Sequence, residues 1–315
     1  MGHTGRETET STPIDERDPP DRELAWSVTG TEAFPRRESM RRHVFVEPLT
    51  RSDVGPALAL SRGAGWGIRR VDWAAFVAAA EIRSLGGWVD GSLVATATVA
   101  QYGDVAWIGC VLVDEARRRQ GLGTEIFRAA CDRTDARVLG LDANPAGRPL
   151  YRRCGFRTVT TVQEYVGTPT GASSHSVSEA AVTELDAVAR YDRSRTGLHR
   201  WGPLTALGAD PATRVFVHRA PGVNGYAVRH RTGGRPTLGP VVADSPTVTT
   251  RLVRAAAEPG VELTVRAPSV PSADPVDWRG LALEPTRSLA RMAAPPVEPP
   301  LAGEAVRAIA TYALG

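Results

Sequence analysis

The chain has 315 residues, carries 38 basic against 35 acidic side chains, and is 42% hydrophobic. This length predicts two domains or one large one, and the composition is typical of a folded protein with a buried core. The net charge of +3 is too small for a chain of this length to indicate nucleic acid or a membrane surface as a partner. No apolar run reaches the roughly 18 residues that a membrane-spanning helix needs.

The first part of the chain, residues 1 to about 40, is rich in Glu, Asp, Thr, Pro and Arg and shows no sustained hydrophobic periodicity. Such a composition predicts a disordered tail. Met40 stands just before the first strand-like run, so a translation start there is an alternative to a start at Met1. The polar, acidic N-terminus does not have the pattern of a secretory signal.

The first structured elements alternate between strand and helix patterns. Residues 44–49 predict a strand, and the residues up to about 80 predict a helical stretch that the glycine-rich break at 63–67 divides in two. A hairpin follows over 87–99, with Asp90-Gly91 as its two-residue turn.

Five further segments complete the first half of the chain. They are an apolar strand over 105–113, a helix over about 121–133, a buried strand over 136–141, a short helix over 149–154 and a closing strand over 156–166. The unbroken apolar run of the first of these is typical of a strand that is covered on both faces.

The second half predicts another α/β unit. Its elements are a helix over 182–191, strands over 214–218, 225–228 and 238–242, a helix over 247–257, and strands over 261–265 and 289–292. This order echoes the first half and indicates a degenerate internal repeat. We therefore predict a tail over 1–40, a first domain over 41–168, a linker of turn-forming composition over 169–178, and a smaller domain over 179–315.

The segment between the 105–113 strand and the next helix carries the first functional signal. It reads Arg118-Arg119-Gln120-Gly121-Leu122-Gly123, a basic, glycine-containing loop that opens a helix. A helix N-terminus presents unpaired N–H groups and a partial positive charge, and glycines let the backbone approach a phosphate closely. The loop therefore predicts a pyrophosphate site, with an ordinary strand-to-helix turn as the alternative.

A second signal follows in the turn after the 136–141 strand. Asn144 lies there, and Tyr151 comes seven residues later at the start of Tyr151-Arg152-Arg153-Cys154-Gly155-Phe156. The order strand, RxxGxG, helix, strand, Asn and LYxxxGF resembles the GNAT superfamily of N-acetyltransferases over about residues 44–166. The resemblance implies the GNAT fold, a mixed and mostly antiparallel α/β sheet flanked by helices. It also implies acetyl-CoA as co-substrate. We expect no metal, because the cysteines lack CxxC spacing and no pair of histidines has the spacing of metal ligands on one helix face.

The resemblance also implies roles for particular positions. In such enzymes the strand before the loop splays at a bulge, and its backbone, here Val111, Leu112 and Val113, holds the pantetheine arm and the thioester carbonyl. Asn144 would contact the CoA arm. Tyr151 would be the general acid, since a hydroxyl with a pKa of about 10 can supply a proton to a leaving thiolate. The alternative for Tyr151 is a packing role. The loop amides that would bind the pyrophosphate are those of Arg118, Arg119, Gln120, Gly121, Leu122, Gly123 and Thr124.

The general base and the acceptor pocket have less specific candidates. The 105–113 strand contains no acidic residue, so Asp142, after the next strand, is the candidate base. A water chain, or no base at all, is the alternative. Trp66, in the glycine-rich helix break, and Trp107 are candidates for the wall of the acceptor pocket, with core packing as the alternative.

The second half has no copy of the loop. Residues 238–246 stand in the corresponding position but lack the arginine and glycines of RxxGxG. We therefore expect no second acetyl-CoA site. This half resembles, more loosely, the C-terminal GNAT-like domain of tandem acetyltransferases, and we expect it to shape a pocket between the domains. A structural appendage or a dimer surface is the alternative.

Together these features predict a cytoplasmic N-acetyltransferase that transfers acetyl from acetyl-CoA to a primary amine by direct attack. The expected acceptor is a small molecule or a peptide, with no nucleic acid or membrane partner, and with a homodimer as one option. Three cysteines without CxxC spacing fit a reducing compartment. The alternative function is a non-catalytic sensor or partner module that binds CoA or acyl-CoA.

Overall fold

The chain builds one long β-sheet with helices on its faces. The computed structural model describes residues 44–171, 174–269, 275–296 and 304–315. The predicted tail, residues 1–40, lies outside these residues, as does part of the predicted linker. Within this part of the chain, 13 strands share one sheet, and no helix is long and apolar enough to cross a membrane.

The strands are numbered in chain order. They are β1 (Phe45–Pro48), β2 (Ile82–Val89), β3 (Ser92–Gln101), β4 (Val105–Val113), β5 (Val138–Ala143), β6 (Arg157–Gly167), β7 (Val177–Glu179), β8 (Arg214–Arg219), β9 (Val223–Thr232), β10 (Arg235–Ala243), β11 (Leu263–Pro268), β12 (Leu283–Ala294) and β13 (Val306–Ala308). Their order across the sheet is β1-β2-β3-β4-β5-β12-β6-β11-β10-β9-β8-β7, with β13 beside β10.

The α-helices lie between these strands. They are α1 (Val54–Gly63), α2 (Arg70–Ala78), α3 (Leu122–Cys131), α4 (Arg148–Arg153), α5 (Leu185–Thr196), α6 (Trp201–Leu204) and α7 (Pro246–Ala256). The elements expected in the first half are confirmed with small shifts of their ends. Asp90 and Gly91 have φ angles of 50° and 74°, the geometry of a two-residue hairpin turn between β2 and β3.

The second half repeats the architecture of the first. Each half contains one parallel strand pair, β4 with β5 and β10 with β11, and one amphipathic helix, α3 or α7, after the first strand of that pair. The mixed, mostly antiparallel α/β fold is therefore confirmed. The short strands β7 and β13 are additions that the sequence pattern did not indicate.

The two halves exchange their closing strands. β6 follows β5 in the chain, yet β12 lies between them and pairs antiparallel with both. β6 pairs on its other side with β11 of the second half. The described residues from 44 onward belong to one compact unit, and the domain bounds 41–168 and 179–315 stay a prediction.

The exchange creates two seams, the β5–β12 pairing and the β6–β11 pairing, and each carries a directly opposed ion pair. Asp142 in β5 lies opposite Arg291 in β12, and Glu164 in β6 lies opposite Arg266 in β11. All four side chains are 11% exposed or less. Removing one member of such a buried pair leaves its partner buried without a counter-charge and typically lowers the free energy of unfolding by about 3–5 kcal/mol. The pairs therefore disfavour any other register between the exchanged strands.

The exchange leads to a prediction about the first half. Residues 41–168 expressed alone should fail to form a stable monomer, because β5 and β6 lose the strand that lies between them and expose unpaired edges. Size-exclusion chromatography and thermal melting followed by circular dichroism measure this. Co-expression with residues 169–315 as a separate chain is the control and should restore a folded complex. A monomeric fragment that melts cooperatively, as the full chain does, would contradict the prediction.

Candidate active site

A β-bulge interrupts β4 in its middle. Thr98 of β3 pairs with Gly109 and Thr96 pairs with Leu112, so two residues of β4 stand opposite one residue of β3. Cys110, in the bulge, has a φ of 49°, and Thr96 Oγ1 donates to its carbonyl at 2.9 Å. A bulge bends its strand and changes the direction of the residues beyond it.

Beyond the bulge, β4 and β5 separate. Their parallel pairing covers only residues 105–107 opposite 138–140. Val111, Leu112 and Val113 lie on the separated part, and no strand of the described residues pairs with them on the β5 side. The result is an opening bordered by strand backbone, as the resemblance implies for this strand. The binding role of these three residues stays a prediction.

The loop after β4 forms a nest of backbone N–H groups. Arg119 and Gly121 have φ angles of 62° and 91°, and α3 begins at Leu122. The N–H of Thr124 donates to the Gly121 carbonyl at 2.9 Å. Unpaired N–H groups in such a turn at a helix N-terminus bind anions. In this loop, the N–H groups without an acceptor among the described residues are those of Arg119, Gln120, Gly121, Leu122 and Gly123.

Side chains hold the loop in place. Leu122 is buried and anchors the start of α3, whereas Arg119 and Gln120 are exposed. Arg118 reaches back to the Val113 carbonyl through Nε at 3.4 Å, which is a long hydrogen bond. The loop is thus fixed from its apolar side and leaves its backbone accessible.

Asn144 and Tyr151 meet at Gly147. Oδ1 of Asn144 accepts a hydrogen bond from the Gly147 N–H at 2.8 Å. A Cβ at Gly147 would lie 2.8 Å from the Tyr151 ring, so the glycine permits this approach. The amide nitrogen of Asn144 has no partner among the residues that the structure describes, and it is available to a ligand.

Tyr151 packs in the core of the first half. Its ring centroid lies 4.9 Å from that of Phe127, and the residue is 8% exposed. Burial raises the pKa of Tyr151 well above its usual range, so the hydroxyl keeps its proton at neutral pH. Its hydroxyl makes no hydrogen bond within the described ranges. Tyr151 does not line the cavity next to this site.

A cavity of about 280 Å³ extends from the opening toward the second half. Its first-half wall comprises residues 65–68, Asp72, Phe76, Cys110 and Asn144. Its second-half wall comprises Ala206, Leu207, residues 230–232, Arg266, Arg287, Leu289 and residues 311–313. Trp66 is thus part of the wall. The β9–β10 turn closes one side, where a Cβ on Gly67 would lie 2.8 Å from Cα of Gly233.

Trp107 lies elsewhere. The residue is 3% exposed, and its ring centroid lies 4.4 Å from the guanidinium carbon of Arg291. Its Nε1 donates to the Tyr312 carbonyl at 3.2 Å. Trp107 is therefore a packing residue rather than part of the pocket wall.

Asp142 does not suit the role of general base that the sequence predicts for it. It lies within β5, where Nε and Nη2 of Arg291 donate to its two oxygens at 2.9 Å each. Burial, the largest influence, raises the pKa of Asp142, and Arg291 opposes that effect. The Asp142 side chain has no exposed surface and is not part of the cavity wall, so it is unsuited to be a general base.

The carboxylate in the described cavity wall is Asp72. Arg69 donates to its Oδ1 from Nη2 at 2.6 Å and to its Oδ2 from Nε at 3.1 Å. Arg69 also donates from Nη1 to Asp210 at 2.5 Å, which ties α2 to the second half. The sequence pattern did not single out Asp72, because an acidic residue in the first turn of a helix is common.

The corresponding opening of the second half is filled by the chain itself. β10 and β11 pair only at residues 237–238, and the register of β10 against β9 shifts just after Leu238. β13 pairs with β10 beyond that shift. The Ile309 N–H donates to the Arg266 carbonyl of β11 at 2.8 Å. Residues 306–309 therefore occupy the space between these strands.

Residues 60–156 match the family model described as acetyltransferase (GNAT) family. This segment contains β4, the loop, Asn144 and Tyr151. The match shows that this segment is similar to the GNAT acetyltransferase family. The chain is 26% identical over 178 residues to the uncharacterized N-acetyltransferase YitH of Bacillus subtilis, a match that spans 52% of this chain and 61% of YitH.

Solved structures extend the likeness to both halves. A Pyrococcus horikoshii protein proposed to be an acetyltransferase matches with a TM-score of 0.70 and 20% identity, over 90% of this chain and all (100%) of that one. A tandem GNAT protein from the clavulanic acid biosynthesis pathway matches with a TM-score of 0.59 and 15% identity, over 80% of this chain and 98% of its own. At these identities the likeness shows the fold alone, and it extends over both halves of the chain.

His230 in the cavity wall gives a prediction about pH. The residue is 3% exposed, its Nε2 lies 3.1 Å from the Ala310 carbonyl oxygen, and burial lowers its pKa to about 4. A histidine in the unfolded chain titrates at about 6.5. The unfolded state then binds the proton more readily, so the free energy of unfolding should fall by up to about 3 kcal/mol as pH drops from about 6.5 to 4.

Urea unfolding at a series of pH values measures this effect. The variant His230→Gln keeps a donor for the Ala310 carbonyl and should flatten the decrease in stability. His199→Gln removes an exposed histidine and is the matched control. An unaltered pH dependence in the His230 variant would show that another group is responsible.

Proposed function

We propose that this protein is an acetyl-CoA-dependent N-acetyltransferase whose acceptor amine binds in the cavity between the two halves. One observation carries the proposal. The first half has an opening beside the β4 bulge, with a nest of free N–H groups in the next loop and a cavity alongside. The second half has the same strand arrangement, but residues 306–309 fill its opening.

The residues of the first half suit acetyl-CoA. The nest of N–H groups from Gln120 to Gly123 would hold the pyrophosphate, and the separated backbone at 111–113 would hold the pantetheine arm. The Asn144 amide nitrogen would donate to the same arm. Phosphate oxygens accept hydrogen bonds, so they bind N–H groups that have no acceptor within the protein. This loop supplies such N–H groups.

Acetyl-CoA, when bound, supplies a thioester whose carbonyl carbon is attacked by the amine nitrogen, so that a C–N bond forms and the C–S bond breaks. Tyr151 would give its hydroxyl proton to the departing sulfur and would be reprotonated from solvent after the products leave. Asp72, the carboxylate in the described cavity wall, would take the proton of the attacking amine, directly or through water. The products are an N-acetyl amine and free CoA.

The alternative is a non-catalytic protein that binds CoA or acyl-CoA. The position of Tyr151 favours it, because this residue is only 8% exposed and is not part of the cavity wall. Binding and thiol release, measured separately, distinguish the two functions.

The loop predicts one acetyl-CoA per chain, dependent on Gly121. Gly121→Val places a β-branched residue at a φ of 91°, so the loop must rearrange and the affinity should fall about tenfold or more. Isothermal titration calorimetry gives the number of sites and the affinity. Gly260→Val is the matched control, because Gly260 has a φ of 73° in a turn before β11. Two sites per chain, or equal losses in both variants, would contradict this assignment.

The role of Tyr151 predicts a loss of turnover without a loss of cofactor binding. Tyr151→Phe should lower kcat about 100-fold, the usual size of a general-acid contribution, and leave the affinity for acetyl-CoA within about twofold. Thiol release over a panel of amines measures kcat. Tyr165→Phe is the control, since Tyr165 stacks on Trp278 in the second-half core.

Full turnover by the Tyr151 variant would refute the general acid while leaving the acetyltransferase assignment intact. Binding of acetyl-CoA without thiol release for any amine would instead favour the non-catalytic alternative.

A further inference from the structure

The ion pair at the β6–β11 seam has a surplus of positive charge. Glu164 accepts from Nε of Arg266 at 2.9 Å and from Nε of Arg287 at 3.0 Å. One carboxylate thus serves two guanidinium groups, and the group of three carries a net charge of +1. At the other seam, Asp142 and Arg291 neutralise each other.

Arg266 is held with part of its guanidinium unsatisfied. The residue is 5% exposed, and its Nη1 is buried without a hydrogen-bond partner. Tyr312 lies between the two arginines, with the guanidinium carbons 4.9 Å and 5.5 Å from its ring centroid. The Tyr312 hydroxyl is also buried and makes no hydrogen bond to any residue that the structure describes. Buried polar groups are normally paired with protein, water or a ligand, so donors left over beside a cavity can pair with a polar group that enters it.

The other end of the cavity carries a carboxylate, Asp72, in its wall. Arg69 is shared by Asp72 and Asp210, so this group of three carries a net charge of −1. Asp72 reaches the cavity wall together with Cys110 of the β4 bulge, where the acetyl group would lie. His230, between these ends, is neutral at pH 7. Arg231, also in the cavity wall, interacts with Asp210 and offsets this negative charge. The surplus of positive charge in the described cavity wall therefore lies at Arg266 and Arg287, on β11 and β12.

We propose that the acceptor is an amine that also carries an anionic group, a carboxylate or a phosphate, which Arg266 and Arg287 bind. This inference rests on the proposed acetyltransferase function. The amine would lie at the Asp72 end beside the bulge. The anion would take the unused guanidinium donors and the Tyr312 hydroxyl, because planar guanidinium groups bind both kinds of oxyanion in a bidentate manner.

A neutral or polycationic amine fits this cavity less well. Such an acceptor leaves the surplus charge of the arginines uncompensated, and a second cationic group would be repelled there. A site built to pair with a polar group rejects analogues that lack it, because its own buried groups then remain unpaired.

Matched pairs of amines test the proposal. One series compares ω-amino acids of increasing length, starting with β-alanine, with amino alcohols, aminoalkyl phosphates and diamines of the same length. A second compares L-amino acids with their amides. Thiol release should give kcat/KM values about 10- to 100-fold higher for the anionic member of each pair, the effect expected of a charge-assisted hydrogen bond. The carboxylate and phosphate arms identify which oxyanion is preferred.

Substitution of the arginines locates the effect. In Arg287→Gln the ratio of kcat/KM between the anionic member of a pair and its matched amine should fall toward one, and the affinity for acetyl-CoA should stay the same. The Arg287 side chain is 62% exposed, so this variant is expected to fold. Arg266→Gln should act in the same direction. Arg219→Gln is the control: it removes an arginine paired with Glu184 at 2.6 Å, away from the cavity, and should retain the full preference.

The outcomes separate this inference from the function on which it rests. Turnover with equal or higher kcat/KM for amino alcohols or diamines would overturn the anionic acceptor and leave the acetyltransferase standing. A different result is also informative: amino acids but not amino alcohols raise the melting temperature, Arg287→Gln abolishes this effect, and no thiol is released. That result would support the anion site and refute the transferase. An unchanged preference in both arginine variants would overturn the assignment to this cluster.

Discussion

The exchanged strand pair β6–β12 is the constraint on which the rest of the structure depends. Strand β6 of the first half lies between β12 and β11, and strand β12 of the second half lies between β5 and β6. Neither half can therefore move away without breaking a continuous ladder of hydrogen bonds. The ion pairs Asp142–Arg291 and Glu164–Arg266 fix the register at the two seams. Because the sheet is shared, the cavity above it has one wall from each half, and its shape does not rely on a flexible interface between domains.

The molecule repeats itself but differs at two places, and both bear on function. Residues 306–315 run first along β10 and then along β4. A Cβ at Gly239 would overlap the Ile309 carbonyl, and one at Gly109 would lie 2.6 Å from Cα of Ala313. The same segment therefore fills the opening of the second half and forms part of the cavity wall beside the opening of the first. The second difference is Arg287, which turns a balanced pair at one seam into a cluster with surplus charge.

The parts of the structure that depend on local pattern could be predicted from the sequence, and the parts that depend on partners could not. Asp90-Gly91, the apolar run of β4 and the glycines of the loop each encode their geometry within a few residues. The position of β12 between β5 and β6 is not encoded in this way, since a buried strand has the same pattern whichever strand lies beside it. Asp142 illustrates the consequence: its partner Arg291 is 149 residues away, and without it the carboxylate looks free to act as a base.

In the proposed function, the two halves divide the work of recognition. The opening and the loop that suit acetyl-CoA belong to β4, β5 and α3, all in the first half. The cationic end of the cavity belongs to β11, β12 and the segment around Tyr312, all in the second. Substitutions in the second half can therefore change which acceptor fits while the cofactor site keeps its geometry. The shared sheet makes this division workable, because it holds the acceptor wall in a fixed position relative to the β4 bulge, where a displacement of about 1 Å would already slow the reaction.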